Sequence, residues 1–168
     1  MVVAELSRRL RAPLKKRIFH SYLFAKADKD GALLCLIEPL TFMNASGRII
    51  KDALRACGSA TGILVVCDSL DLSPGNCRLR LRGSAGGHKG LESVARNLGT
   101  EEFMRLLIGI GRPETRDEVV DYVLGEPEGV EAAAIREAVG RAADAVLSLS
   151  SAGPERVMNE LNRREPAI

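Results

Sequence analysis

The stretch LRGSAGGHKGL, residues 81–91, decides the fold of this chain. An alternating pattern typical of a strand precedes it and a helical pattern follows it, so the stretch predicts a strand-to-helix connection. Its four glycines allow positive φ angles and leave room for a ligand close to the main chain. Outward-facing N–H groups at such a connection favour a phosphate or a sugar. The alternative is a tight connection in which His88 caps a backbone group.

Length and composition predict a single domain over residues 1–168. Hydrophobic residues make up 46% and charged residues 27% of the chain, as is typical of globular proteins. A net charge of +2 neither requires nor excludes a nucleic-acid partner. Basic residues do cluster, within residues 8–17 and at alternate positions of the segment 78–82. A solvated face is the alternative for each cluster, and it is favoured for the first.

Several classes of protein are not favoured by the sequence. The four cysteines form no C-x-x-C pair, so we expect buried thiols in a reducing cytoplasm and no metal site. No apolar run is long enough to span a membrane, and the first residues lack the pattern of a signal peptide.

Strand and helix patterns alternate along the chain, which predicts an α/β fold with a mixed sheet. The predicted strands cover residues 18–27, 32–37, 62–67, 77–81 and 103–110. The predicted helices cover residues 1–11, 47–57, 91–98, 117–124, 129–150 and 154–162. The first two strands should form a hairpin around the turn at residues 28–31, and Ser46 is the expected N-cap of the second helix.

Five segments together resemble the bacterial-type peptidyl-tRNA hydrolases. They are PLTFMNASG (39–47), DSLDLSPG (68–75), GSAGGHKGL (83–91), RLLIGIGRP (105–113) and YVLG (122–125). Their order and spacing are those of the family. The resemblance implies one α/β domain, a twisted mixed sheet flanked by helices, in a cytoplasmic monomer without a membrane partner. It implies hydrolysis of the ester that joins a peptide to the terminal ribose of tRNA, which recycles tRNA during translation, without metal or organic cofactor.

The resemblance also implies roles for single residues. Ester hydrolysis at neutral pH needs a base for the water, a group that stabilises the base, and donors for the oxyanion. Asp68 matches the aspartate that stabilises the family's histidine base. The positions that match substrate or tRNA contacts are Phe42, Asn44, Arg80, His88, Lys89 and Arg105. Taken singly, Asp68 could cap a turn, Asn44 could be an N-cap and the arginines could be solvated.

The chain departs from the family's pattern at its start. The family begins with a strand, G-L-G-N-P-G and T-R-H-N, which include an inner strand of the sheet and the histidine base. Here the match begins at the following helix. His20 lies where the family has no catalytic residue, and nothing in the sequence indicates that His88 replaces the base.

Three hypotheses follow from this departure. In the first, the native product is longer and is an ordinary hydrolase, so that this chain is N-terminally incomplete. In the second, the chain is an inactive RNA-binding relative of the family. The third is a generic α/β phosphate-binding domain. Without an inner strand the neighbouring strands would keep unpaired backbone groups, so we expect the 168-residue chain to be poorly stable or prone to aggregation.

Smaller departures lie inside the motifs. Lys89 replaces an asparagine and adds a positive charge, and Leu107 replaces an arginine that is an expected phosphate contact. Cys67 and Ser69 flank Asp68 where the family often has histidine and an acidic residue.

Overall fold

A computed structural model describes residues 1–58, 61–113, 115 and 119–163. The chain divides into two compact units. Unit 1 contains residues 1–65 and 81–104, and unit 2 contains residues 66–80 and 105–168. The expected single domain over the whole chain stays a prediction. None of the described helices is both long and apolar enough to cross a membrane.

Strands and helices interleave along the chain, which confirms the predicted α/β class. The strands are β1 (Lys15–Lys16), β2 (Tyr22–Lys29), β3 (Ala32–Pro39), β4 (Leu64–Ser69), β5 (Cys77–Arg80) and β6 (Met104–Gly109). The helices are α1 (Val2–Arg9), α2 (Ile50–Cys57), α3 (Lys89–Leu98), α4 (Val119–Leu124), α5 (Gly129–Ala152) and α6 (Pro154–Asn162). A 3₁₀ segment, Met43–Ile49, leads into α2.

Unit 1 contains an antiparallel sheet of order β1-β2-β3. The predicted hairpin is confirmed, and its turn is the pair Asp30-Gly31, whose φ angles are +54° and +82°. Positive φ at both turn residues matches the twist of the two strands, and an Asp-Gly pair supplies it at little cost.

Two local predictions in unit 1 are wrong. The strand predicted from residue 18 begins at Tyr22, because the chain first turns at Phe19, which has a φ of +63°. The amide of His20 donates to the carbonyl of Arg17 across that turn at 3.2 Å. Ser46 is not an N-cap, since it lies inside the 3₁₀ segment.

The sheet of order β4-β6-β5 is mixed, and most of its residues belong to unit 2. β5 runs antiparallel to β6, with Leu79 opposite Leu106. β4 runs parallel to β6, because the amides of Met104 and Ile110 donate to the carbonyls of residues 63 and 69 in the same order. Leu79 and Leu106 are both buried, so this pair contributes to the core of unit 2.

Two helices of unit 2 complete its core. The alanines of α5 at positions 138, 142 and 143 are fully buried, which allows close packing along this helix. The helix α6 has the predicted bounds and buries Val157 and Leu161. Its last residue, Asn162, accepts from the amide of Leu79 and donates to its carbonyl, so it satisfies backbone groups of β5.

The strands form two three-stranded sheets instead of one continuous sheet. β3 ends the first sheet and β4 ends the second, and neither has a second neighbouring strand in the described residues. The predicted mixed sheet flanked by helices is confirmed. The family's pattern includes a further inner strand of the sheet, and none of the six strands described here corresponds to it. The expected low stability stays a prediction.

Candidate functional site

The glycine-rich stretch ends in a helix cap made by His88. Its Nδ1 accepts hydrogen bonds from the amides of Gly90 at 3.1 Å and Leu91 at 3.2 Å. This satisfies two of the four N–H groups that the first turn of α3 leaves without a helical partner. Because Nδ1 is an acceptor, Nε2 carries the proton of the neutral ring. The side chain of His88 therefore caps α3, and the capping alternative drawn from the sequence is confirmed.

The 3₁₀ segment lies directly against the start of α3, within unit 1. A Cβ placed on Gly90 would be 2.6 Å from the sulfur of Met43 and would touch the His88 ring. Further along, the amide of Gly47 donates to the hydroxyl of Ser93 at 3.0 Å. The segments 39–47 and 83–91, which are far apart in sequence, thus share one surface.

That surface presents four of the predicted contact residues. Phe42 is 88% exposed, Asn44 and Lys89 are exposed, and His88 is half-buried. They supply an aromatic face, an amide, an ammonium group and a ring N–H, which are the groups that bind bases, riboses and phosphates. We call these four residues, Phe42, Asn44, His88 and Lys89, the loop cluster.

Asp68 lies near the end of β4, in unit 2. The adjacent thiol of Cys67 is buried, and burial raises its pKa to about 12. The negative charge of Asp68 contributes to this raised pKa, whereas the guanidinium of Arg105 lowers it. A carboxylate and a guanidinium therefore both act on the Cys67 thiol, although the two residues come from different strands of the sheet.

Arg105 and Arg80 differ sharply in accessibility, although they are directly opposite each other in β6 and β5. Arg105 is 1% exposed, so it lacks the open surface that a direct phosphate contact requires. Arg80 is exposed, whereas Cys77 and Leu79 are buried, which confirms the predicted alternation of this strand. The accessible cation of this pair is Arg80.

Sequence reasoning missed a network around His20. Its Nδ1 lies 2.5 Å from the carboxylate of Asp52, which also accepts from the hydroxyl of Tyr22 at 2.9 Å. The Tyr22 hydrogen bond is the main cause of a lowered pKa of Asp52. His20 was predicted in a strand, but it lies in the turn before β2, which Asp52 ties to α2. Spacing gives no signal for a pair 32 residues apart.

The structure thus gathers the loop cluster in unit 1 and places Asp68, Arg80 and Arg105 in unit 2. The roles of Met43 and Ser93, which hold the loop cluster together, were not predicted. The sequence feature that could have indicated them is the glycine that each one contacts, Gly90 for Met43 and Gly47 for Ser93. Among the described residues, no group of three or more His, Cys, Asp or Glu side chains is arranged to hold a metal ion.

Comparisons with known proteins agree with one another. The family model for peptidyl-tRNA hydrolase matches residues 1–167. The peptidyl-tRNA hydrolase of Geobacillus kaustophilus is 43% identical over 162 residues, which are 96% of this chain and 87% of that protein. The enzyme of Aquifex aeolicus is 39% identical over 168 residues, 98% of this chain and 86% of that protein. A crystal structure of peptidyl-tRNA hydrolase from Acinetobacter baumannii has a TM-score of 0.89 at 29% identity and covers 99% of this chain and 85% of that one.

These matches extend well beyond the five motifs. The chain belongs to the peptidyl-tRNA hydrolase family. Its function is that of a hydrolase acting on the ester of peptidyl-tRNA, and tRNA is the nucleic acid that this function involves.

Proposed function

We propose that the loop cluster holds the 3′ end of peptidyl-tRNA and that Asp68 stabilises the base that activates the water. The observation that carries the proposal is the contact between Met43 and Gly90, which puts the exposed Phe42 and Asn44 beside the half-buried His88 and the exposed Lys89. A single-stranded RNA end needs a stacking face, neutral hydrogen-bonding groups and a cation, and this surface offers all three.

Each member of the loop cluster has a proposed role that follows from its chemistry. The ring of Phe42 stacks on a terminal base, and the amide of Asn44 donates to and accepts from the ribose or the ester. The Nε2–H of His88 donates to an oxygen of the substrate. Lys89 attracts the phosphate backbone and makes binding sensitive to salt.

In unit 2 the proposed roles are electrostatic. A carboxylate beside a base favours the cationic form that the base adopts when it takes a proton from water. Asp68 has this role in the proposal. Arg80 contacts tRNA phosphate, and the buried Arg105 is a positioning residue whose charge balances that of Asp68.

Neither histidine of the chain is proposed as the base. Nδ1 of His88 is occupied by two amides, and Nε2 carries the proton. His20 is held by Asp52 in a turn that contains no residue of the five family segments.

The test is hydrolysis of an N-blocked aminoacyl-tRNA by the purified chain, with Asp68→Asn and Asp71→Asn compared side by side. Both changes remove one carboxylate charge from the same segment. We expect Asp68→Asn to lower kcat by at least about a hundredfold, in the range of general acid–base effects, and Asp71→Asn to change it little. Equal losses in both variants would contradict the role of Asp68.

The same assay distinguishes an active hydrolase from an inactive relative of the family. Turnover by the chain supports the hydrolase mechanism. A salt-dependent affinity for tRNA without any turnover would instead mark an inactive RNA-binding relative. We also propose that the protein works as a monomer in the cytoplasm, as the family resemblance implies, and sedimentation at micromolar concentration tests the monomer.

A further inference from the structure

Unit 1 contains a basic groove that shares no residue with the loop cluster. It is a cavity of about 540 Å³ between the residues that follow α1, the β1–β2 sheet and the end of α2. Its lining residues are Ala12, Pro13, Lys15, Arg17, Phe24, Ala25, Lys26 and Ala56. Three of these are cationic and none is acidic. We call this cavity the basic groove.

The cations of the basic groove are held over one aromatic ring. Lys15 lies directly opposite Phe24 across the two strands, so both side chains are on the same face of the sheet. The guanidinium of Arg17 is 5.7 Å and the ammonium of Lys26 is 6.0 Å from the centre of the Phe24 ring. These distances are in the range of cation–π contacts, which order the long side chains before a ligand arrives.

Two of these cations are available to an anion. In the part of the chain that the structure describes, neither Lys15 nor Lys26 forms an ion pair with an acidic residue. Asp28, which follows Lys26 on the same face, accepts a hydrogen bond from the amide of Gly31. Arg17 differs, because it donates to the hydroxyl of Tyr22, which it shares with Asp52.

A fully exposed aromatic side chain lies two residues after Arg17, which lines the groove. Phe19 is 103% exposed, and its φ of +63° is unusual for a residue with a large side chain. Two contacts fix the chain directly after Phe19, namely that of His20 with Asp52 and the hydrogen bond from the amide of Leu40 to the carbonyl of Ser21. A fixed turn that exposes an aromatic ring provides a stacking surface.

We propose that the basic groove and Phe19 form a second RNA contact, which binds the phosphodiester backbone of the tRNA away from its ester. Lys15 and Lys26 contact phosphates, and Phe19 stacks on an unpaired base. This inference rests on the proposed function for the identity of the RNA. We choose a phosphodiester backbone as the ligand because two lysines without acidic partners attract phosphate groups regardless of the base sequence.

The experiment compares the double variant Lys15→Gln/Lys26→Gln with Lys16→Gln and Lys16→Gln/Lys51→Gln. Lys16 lies one position along β1, with its side chain on the opposite face, and Lys51 is an exposed lysine of α2 that does not line the groove. Affinity for full-length tRNA is measured against salt, and hydrolysis is measured on full-length N-blocked aminoacyl-tRNA and on the same ester carried by a short 3′-terminal oligonucleotide. Thermal melts of all proteins verify the fold.

For the groove variant we expect tRNA affinity to fall on the order of tenfold, with a salt slope about two units shallower, roughly one per lysine. Hydrolysis of the short substrate should not change. The lysine controls should retain more affinity than the groove variant, and Phe19→Ala should weaken tRNA binding without changing the salt slope. Losses in the two-charge control that equal those of the groove variant would overturn the proposal.

Two further outcomes are decisive. If an excess of inorganic phosphate shields Lys15 and Lys26 from an amine-reactive label as well as tRNA does, the groove is a site for free anions and the RNA proposal is overturned. If the chain binds tRNA through the groove but hydrolyses neither substrate, the groove stands and the catalytic roles proposed for Asp68 and the loop cluster fail. If the groove variant hydrolyses both substrates and binds tRNA as the wild type does, the groove proposal fails and the proposed catalytic roles stand.

Discussion

The backbone amide of Gly47 donates to the side-chain oxygen of Ser93 at 3.0 Å, and no side chain can be added between the two residues. A Cβ on Gly47 would lie 2.0 Å from the carbonyl oxygen of Ser93. The 3₁₀ segment and α3 therefore approach each other at backbone distance. This contact fixes the position of Phe42 and Asn44 relative to the cap of α3, so it joins the family segment 39–47 to the helix that begins in the family segment 83–91.

Replacement of Gly47 by alanine should destabilise unit 1 strongly. The obstacle is backbone, which cannot move aside as a flexible side chain can, so we expect a loss of about 3 kcal/mol in the free energy of unfolding. The control is Gly62→Ala, because a Cβ there would meet only the end of the Met104 side chain at 3.7 Å. Urea unfolding measures both, and equal stabilities would contradict the close approach.

The edge of the mixed sheet yields a second prediction. Asn162 makes two hydrogen bonds to the backbone of Leu79, at 3.0 and 3.1 Å, and Leu79 is 1% exposed. Asn162→Ala would leave a buried N–H and a buried C=O without these partners, so we expect a loss of about 2 kcal/mol. Asn159→Ala, at an exposed position of the same helix, should cost much less in the same urea titration.

Turns and helix caps were predictable from the sequence where one or two residues determine the local backbone. The turn Asp30-Gly31, the C-cap at Gly99 and the cap at His88 each depend on a neighbouring backbone, so the sequence indicates them directly. Other local features depend on contacts between residues that are far apart in the sequence, and the sequence pattern did not indicate them. The turn at Phe19 interrupts an apolar run that reads as one strand, and it is held by Asp52, which lies 33 residues away.

Burial of charge was the hardest feature to predict. Arg105 and Arg80 are both arginines in strands next to glycine-rich loops, and the family resemblance offered both as RNA contacts. Only the structure separates them, since Arg105 is enclosed and Arg80 is exposed. Strand alternation sets which face a residue occupies, but the covering of that face comes from elements elsewhere in the chain.

The cysteines should react with thiol reagents in a fixed order. The pKa of Cys57 is raised to about 12 by burial and by its hydrogen bond with Cys35, and that of Cys67 is raised to about 12 chiefly by burial. At pH 8 only about one in ten thousand of these thiols is ionised, and the thiolate is the reactive form. Cys35 is half-buried and should be labelled first.

Mass spectrometry of iodoacetamide-treated protein measures this order at pH 8. Cys35→Ser should abolish the early label while leaving the slow ones, and all remaining cysteines should react rapidly in denaturant. Labelling of Cys67 as fast as Cys35 in the folded protein would show that the β4 strand is not enclosed as described.

The first helix should lose stability in acid. Hydrogen bonds from Arg8 and Arg9 lower the pKa of Glu5 to about 2, from an ordinary value of 4.5. A lowered folded pKa means that the contribution of Glu5 is complete above pH 4.5 and is lost as the pH falls toward 2. The difference in melting temperature between the wild type and Glu5→Gln should therefore shrink over that interval. A difference that stays constant between pH 7 and pH 2 would contradict this.

The two roles of His88 can be separated by a pair of substitutions. His88→Ala removes the acceptor for the amides of Gly90 and Leu91, so we expect a loss of about 1 kcal/mol in the free energy of unfolding. Asparagine is a strong N-cap residue and its side-chain oxygen can accept from the same turn, so His88→Asn should recover most of that stability. It does not restore the ring N–H that we propose to contact the substrate. Hydrolysis of N-blocked aminoacyl-tRNA should therefore remain low in both variants, while urea unfolding distinguishes them. Recovery of hydrolysis together with stability in His88→Asn would mean that His88 acts only by capping α3.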